Sequence, residues 1–100
     1  MIPIEKIKSI VNTYNTLEKE LASGNIDKKD FVKKSKEYSS IGDVINQARG
    51  YLNFEKEKIE LEKIIDEKES DKEMTQLAKK ELSELIEKKK TYEKILRIYL

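Results

Sequence analysis

The feature that most constrains this chain is a long run of apolar side chains at helical spacing in its middle. Between positions 27 and 66 they recur in steps of three, four or seven, at Tyr38, Ile41, Ile45, Ala48, Leu52 and Ile59. That spacing places them on one stripe of a helix. A helix of about 40 residues is roughly 60 Å long, which a chain of 100 residues cannot wrap as a globule. We therefore predict an elongated molecule that is thicker at one end.

The composition agrees with long helices. About half of the residues are Ala, Glu, Lys, Leu or Arg, as in coiled coils and other extended helical proteins. Three glycines and one proline provide little material for the turns that a multi-stranded sheet requires. The expected fold class is all-α: an elongated three-helix arrangement, in which a long antiparallel hairpin has an N-terminal helix packed at its thick end.

Local signals set the helix boundaries at about 3–22, 27–68 and 71–98. Proline is tolerated in a first helical turn, so Pro3 fits the start of the first helix. Gly24 fits its end, because glycine adopts the left-handed conformation there. Asp27 is a candidate cap for the second helix. For the third, Ser70 forms a potential capping box with the glutamate three positions later, and Asp71 is a rival cap.

The short connection near Ser70 makes the last two helices antiparallel neighbours. Pairing positions whose numbers add up to about 140 keeps both apolar stripes in register and places Ile45 opposite Leu96. Lys89 interrupts the seam, and we expect it either to pair with Glu55 or to extend outward.

Around the Gly24 connection, pairing positions whose numbers add up to about 49 sets Leu17 beside Phe31 or Val32 and Ile7 beside Gly42. Gly42 is compatible with a kink in the second helix or with close approach of the first helix, and this pairing favours close approach.

Several chemistries have no residues to support them. The chain has no histidine and no cysteine, so the usual general base and thiolate metal ligands are missing. Its carboxylates alternate with lysines on helix surfaces, where nothing encloses an acid of raised pKa. No apolar run is long enough for a bilayer span, and the N-terminus lacks a signal-peptide core. We expect a cytoplasmic, non-enzymatic protein without cofactor, small-molecule ligand or membrane partner.

Three segments resemble the N-terminal helical domain of the bacterial peptide chain release factor 1 family. Residues 31–44, FVKKSKEYSSIGDV, match its Ser-x-Glu-Tyr, aliphatic, Asp-Val pattern. Residues 71–82, DKEMTQLAKKEL, are similar to its Asp-Pro-Glu-Met and Ala-x-x-Glu-Leu pattern, with Lys72 in place of the usual proline. The final run, ILRIYL, resembles the hydrophobic stretch that precedes the next domain of the family.

The resemblance implies a fragment of a longer factor that terminates translation at UAG and UAA. The family's peptidyl-tRNA hydrolysis loop, Gly-Gly-Gln, and its codon-reading tripeptide do not occur in this sequence. The implied role is docking on the ribosome, near its GTPase-associated centre and stalk base, with the remaining release-factor domains as partners in cis. The alternative is a free-standing coiled-coil scaffold or adaptor that binds a protein.

The candidate contact surface is a narrow basic face on the second helix. Lys29, Lys33 and Lys36 lie opposite its apolar stripe when positions are counted at about 100° per residue. Such a face is often simply solvated, but it also suits ribosomal RNA phosphate or an acidic protein. The alternative surface is the acidic tip of the hairpin, Glu67, Glu69 and Asp71.

Overall fold

Four helices account for nearly all of the chain in the computed structural model, which describes residues 2–67 and 71–100. They are α1 (Ile4–Ser23), α2 (Lys28–Gly42), α3 (Ile45–Asp66) and α4 (Lys72–Tyr99). The described residues contain no strand, which confirms the all-α class. The molecule measures 60 × 27 × 19 Å, with a radius of gyration of 18.2 Å. A compact domain of this length has about 13 Å, so the molecule is elongated as predicted.

The predicted second helix, 27–68, is wrong as one element, because the structure divides it into α2 and α3. The backbone N–H of Asp43 donates to the Ser40 carbonyl at 3.3 Å, and that of Val44 donates to the Ile41 carbonyl at 2.9 Å. These bonds span three residues instead of four and tighten the chain into a turn. Val44 then has φ −124° and ψ 2°, outside the α-helical region.

The break lets two consecutive apolar side chains enter different parts of the core. Val44 is buried in a cluster with Ile2, Ile7, Ala48, Tyr51 and Leu96. Its neighbour Ile45 is buried in a second cluster, with Leu17 and Ile41. The predicted pairing of Ile45 with Leu96 is therefore wrong. Val44 provides the apolar contact on the Leu96 side, and its burial is a physical reason for interrupting the helix.

Both clusters lie at one end of the molecule, where α1 packs antiparallel against α2 and α3. The Tyr51 hydroxyl, on α3, donates to the Ile2 carbonyl at 3.2 Å and ties the start of α1 to the hairpin. Beyond this end, the seam between α3 and α4 continues through buried Phe54, Ala78 and Leu85. Ile59, which the stripe predicted to be buried, is 52% exposed. It lies past the point on α3 that the start of α1 reaches.

The antiparallel register of α3 and α4 is close to the predicted one. Tyr92 packs beside Gly50, and the Lys89 ammonium lies over the rings of Phe54 and Tyr51, 4.4 Å and 5.8 Å from their centroids. The Lys89 ammonium is therefore stabilised in the seam by cation–π contacts with two aromatic rings. The sequence predicted either an ion pair with Glu55 or a side chain that extends outward.

Two of the predicted helix-end residues act as expected, and a third does not. Gly24 has φ 73° and ends α1 in the left-handed conformation, as predicted. At the start of α4, the Asp71 carboxylate accepts a hydrogen bond from the Glu73 backbone N–H at 3.2 Å. Asp71 is therefore a cap, while Ser70 lies outside the described residues. Asp27 precedes α2 without a hydrogen bond from its side chain to the helix end.

Candidate functional site

The three lysines predicted to form a basic face, Lys29, Lys33 and Lys36, are all exposed on α2. The opposite side of α2 faces α1 through buried Ile41 and half-buried Tyr38. No ion pair between residues of the described ranges, 2–67 and 71–100, involves the three lysines. The structure thus places their charges together on one solvent-facing side.

A fourth lysine of α2 has a different environment. The Lys34 ammonium donates to the Glu20 carboxylate of α1, and this hydrogen bond raises the pKa of Lys34 above its usual value. Lys34 therefore joins two helices, while its neighbours on the basic face remain directed toward solvent.

An aromatic contact fixes the orientation of α2. The rings of Tyr14 and Tyr38 stack at 4.5 Å between centroids, with 16° between their planes. The Arg49 guanidinium of α3 lies 5.5 Å from the Tyr14 centroid and donates to the Asn15 side-chain oxygen at 3.2 Å. Hydrogen bonding with Tyr14, burial and the nearby Glu18 charge raise the pKa of Tyr38 to about 12. The tyrosine pair thus joins α2 to α1, and Arg49 joins α1 to α3.

The alternative acidic surface is only partly described. Glu67 is exposed just after α3, and its backbone N–H donates to the Lys63 carbonyl at 3.1 Å. Asp71 is exposed, but its carboxylate caps α4. Glu69 lies outside the described residues. Of the two tip carboxylates that the structure describes, the Asp71 carboxylate is engaged with its own helix.

Two apolar side chains beside the basic face were not predicted to be accessible. Phe31 and Val32 are 47% and 50% exposed, although the helical pattern predicted contact with Leu17 of α1. Their exposure follows from their place at the start of α2, where α1 ends and the core becomes thin. The sequence signal that could have revealed them is the short Gly24 connection, which brings both helix ends to the same edge of the molecule.

Neither a metal-binding cluster nor a membrane-spanning helix is found among the described residues. Within residues 2–67 and 71–100, no group of three or more acidic side chains is arranged to hold a metal ion. None of the helices there is long and apolar enough to cross a membrane.

Comparison with known proteins identifies relatives over the whole chain. The PCRF domain model matches residues 10–100. Peptide chain release factor 1 of Pelagibacter ubique (strain HTCC1062) is 45% identical over 100 residues, which cover all of this chain and 28% of that protein. The same factor from Bartonella tribocorum (strain CIP 105476 / IBS 506) is 33% identical over 99% of this chain and 27% of its own length.

A third relative, peptide chain release factor 1 of Bartonella quintana (strain Toulouse), is 31% identical over 99% of this chain and 27% of its own length. The chain thus spans about a quarter of the length of these relatives. No solved structure matches it significantly. Since the family model covers all but the first nine positions, the chain belongs to the PCRF domain family.

Proposed function

We propose that this chain is the N-terminal, ribosome-docking domain of a class-one peptide chain release factor, acting in the cytoplasm in translation termination at UAG and UAA. The observation that carries the proposal is similarity to peptide chain release factor 1 over the full 100 residues, together with the PCRF match. The role within termination follows from what the described residues provide, which is an exposed charged surface on a rigid helical frame.

Catalysis and codon reading belong to other parts of the factor in this proposal. The sequence contains neither Gly-Gly-Gln nor a histidine or cysteine nucleophile. The remaining release-factor domains are therefore partners in cis, and this chain positions them by contacting the ribosome. The proposed contact region is the GTPase-associated centre and stalk base, which the family resemblance implies.

The docking contact we propose is the basic face of Lys29, Lys33 and Lys36. The three ammonium groups are exposed and share one side of α2, and ribosomal RNA presents phosphates with complementary charge. The acidic tip of Glu67, Glu69 and Asp71 is the weaker alternative, because Asp71 already accepts a helix-capping hydrogen bond.

A domain exchange with a relative tests the function. The matching 100 residues of the Pelagibacter ubique factor are replaced by this chain, and peptide release is measured on ribosomes paused at UAG. Two controls are a factor lacking this segment and a factor carrying an unrelated helical hairpin of similar length. We expect the exchanged factor to release peptide far faster than either control at limiting factor concentration.

The same measurement distinguishes the alternative function. If this chain restores no more release than the unrelated hairpin, although circular dichroism shows it folded in the exchanged factor, the release-factor role is wrong. The coiled-coil scaffold or adaptor is then the better explanation. Release at saturating factor concentration serves as a further control, because the hydrolysis loop is supplied by the relative in every variant.

A further inference from the structure

Charge is segregated around α2 beyond the three lysines described above. Counted at about 100° per residue, a sector of roughly 200° begins at Phe31 and ends at Lys33. It contains four lysines, three serines, two apolar residues and one glycine: Lys28, Lys29, Lys33, Lys36, Ser35, Ser39, Ser40, Phe31, Val32 and Gly42. Within α2, which is described in full, neither of its carboxylates, Asp30 and Glu37, lies in this sector.

The rest of α2 accounts for its acids and its packing. Asp30 and Glu37 lie on the side that carries Lys34, whose ammonium is bound to Glu20 of α1. Tyr38 and Ile41, which contact the core, lie on that side too. Most of the sector from Phe31 to Lys33 therefore faces away from α1, and only its Phe31 edge approaches that helix, where Gly42 lies beside the Tyr14 ring. We call this sector the Phe31 sector.

The two apolar residues of this sector are accessible to solvent and belong to the first turns of α2. Phe31 and Val32 are each about half exposed, at 47% and 50%, so one side of each remains against the protein. The Phe31 backbone N–H donates to the Asp27 carbonyl at 2.8 Å and belongs to the first turn of α2. A half-exposed aromatic ring on a rigid helix can accept a flat partner at little cost in conformational entropy.

We propose that the Phe31 sector binds an unpaired segment of RNA, with a base stacked on the Phe31 ring and the neighbouring phosphates on the lysines. This inference rests on the proposed function, in which the ligand is ribosomal RNA. Stacking on aromatic side chains beside a basic surface is how proteins bind unpaired nucleic acid without needing a specific sequence. The serine hydroxyls add donors that commonly contact phosphate oxygens.

The observations favour RNA over an acidic protein segment. The sector holds four lysines, with Asp30 and Glu37 just beyond its Lys33 edge, and this excess of positive charge complements the negative charge of a phosphate backbone. The sector holds more lysines and serines than apolar residues, whereas the centre of a protein interface is usually apolar and poor in charge. An acidic protein remains the alternative outcome of the test.

The direct test measures binding of the 100-residue chain to a fluorescent single-stranded oligoribonucleotide, and to an abasic oligomer of the same length. Phe31→Leu retains apolar volume and removes the aromatic face, while Phe31→Trp retains stacking. We expect Phe31→Leu to weaken binding to the base-containing oligomer by about tenfold, to leave binding to the abasic one unchanged, and Phe31→Trp to restore affinity. Leu77→Ala is the matched control, because Leu77 is also about half exposed but lies on α4.

Ribosome binding of the exchanged factor tests the Phe31 sector separately from the proposed docking function. Weaker ribosome binding by Phe31→Leu, with the loss of stacking described above, supports the proposal. If Phe31→Leu weakens ribosome binding but neither oligomer binds this chain, the partner is a protein and the RNA assignment is overturned. If Phe31→Leu binds ribosomes like the unmodified factor, the site is overturned while ribosome docking stands. If the unmodified exchanged factor does not bind ribosomes, the proposed function itself fails.

Discussion

A Cβ atom added to Gly50 of α3 would lie 2.6 Å from Cε2 of the Tyr92 ring on α4. Among the three glycines, a Cβ added at Gly50 would have the nearest neighbouring atom. Real Cβ atoms are not found at such distances, so the absence of a side chain at Gly50 is what lets the Tyr92 ring rest against α3. The contact also fixes the register of the hairpin at the end where α1 joins it.

We expect Gly50→Ala to lose the stabilisation that alanine normally gives a helix. Alanine is favoured over glycine by about 1 kcal/mol in a helix interior, but here the Tyr92 ring must move to make room. In a Tyr92→Ala background the same substitution should stabilise by that amount. A double-mutant cycle of urea unfolding measures the coupling, expected at about 0.5–3 kcal/mol.

Gly42→Ala is the matched control for this prediction. A Cβ there would meet the Tyr14 ring at 3.8 Å, an ordinary contact, and Gly42 has no positive φ. Its replacement should be neutral or mildly stabilising. Equal effects of Gly50→Ala in both Tyr92 backgrounds would show that the ring is not in contact with α3.

These two glycines show what the sequence could not decide. Close approach was predicted at Gly42, because a register drawn along a continuous helix placed it opposite Ile7. In the structure Gly42 ends α2 and faces Tyr14, and the close approach occurs at Gly50. Low helix propensity marks both positions equally, so only the ring packed against one of them distinguishes their roles.

Apolar periodicity and helix-end signals predicted more of the fold than the glycines did. Short local patterns predicted the left-handed Gly24, the start of α4 beside Asp71 and the antiparallel course of the hairpin. Each of these patterns involves only a few neighbouring residues. The turn at Asp43 and Val44 does not, because a glycine inside an apolar stripe is compatible with an unbroken helix. The turn depends on burying Val44 and Ile45 in separate clusters, which is a tertiary effect.

The candidate site also has a part that the sequence predicted and a part that it did not. The basic face was predictable, because Lys29, Lys33 and Lys36 share one helix and their relative directions depend only on helical geometry. The exposure of Phe31 was not, because apolar spacing alone predicts that it faces the core. Whether a stripe is covered depends on where the neighbouring helix ends, and α1 ends beside Phe31.

The core clusters lead to a second prediction. Ile7 and Leu96 are both fully buried in the same cluster, so truncating either to alanine should cost about 2–5 kcal/mol. Because they share a packed environment, the double mutant should lose less than the sum of the single losses. Ile45 belongs to the other cluster, and Ile45→Ala should show a smaller coupling to Leu96→Ala. Chemical unfolding of the five variants measures this, and a stronger Ile45–Leu96 coupling would restore the pairing predicted from sequence.

A third prediction compares two helix caps. The Asp71 carboxylate accepts the Glu73 N–H, so Asp71→Ala should destabilise the protein by about 1 kcal/mol, and Asp71→Asn should retain most of the stability. Asp27 makes no side-chain capping bond, and Asp27→Ala should stay within about 0.5 kcal/mol. Thermal or urea unfolding measures the three variants. Equal losses at both positions would mean that the charge near each helix start matters more than the hydrogen bond.

Alkaline pH provides a fourth prediction. Hydrogen bonding with Tyr14 raises the pKa of Tyr38 to about 12 in the folded protein, against about 10 in an unfolded chain. The folded state therefore binds this proton more tightly, and its contribution to stability is complete below about pH 10. The contribution is lost as the pH rises toward 12. The pKa of Lys34 is raised as well, through its hydrogen bond with Glu20, which acts in the same direction.

Urea unfolding between pH 9 and 12 tests the sign. The free energy of unfolding should fall with pH across this range, and Tyr38→Phe should make the fall less steep. Glu20→Gln should remove the share that depends on Lys34. A slope that neither substitution changes would mean that the loss arises elsewhere in the chain.

The last prediction concerns the basic face. Replacing Lys29, Lys33 and Lys36 by glutamine should leave folding nearly unchanged, since surface substitutions usually stay within about 0.5 kcal/mol and none of these side chains is in an ion pair with another described residue. In the exchanged factor, binding to terminating ribosomes should weaken. The slope of log affinity against log salt should become shallower by up to about 0.7–0.9 for each RNA phosphate that the variant no longer neutralises. Stop-codon choice and release at saturation should stay the same.

Two matched variants decide which surface binds the ribosome. Lys79 and Lys80 are exposed on α4, and glutamine at both should leave the salt slope unchanged, which shows that the effect is specific to α2 rather than to total charge. Glu67→Gln with Glu69→Gln tests the acidic tip without disturbing the Asp71 cap. A loss of ribosome affinity in the tip variant, with the α2 lysine variant unaffected at low salt, would assign ribosome binding to the hairpin tip. The lysines would then be a solvated face, because charge that meets RNA phosphate cannot be removed without changing the dependence on salt.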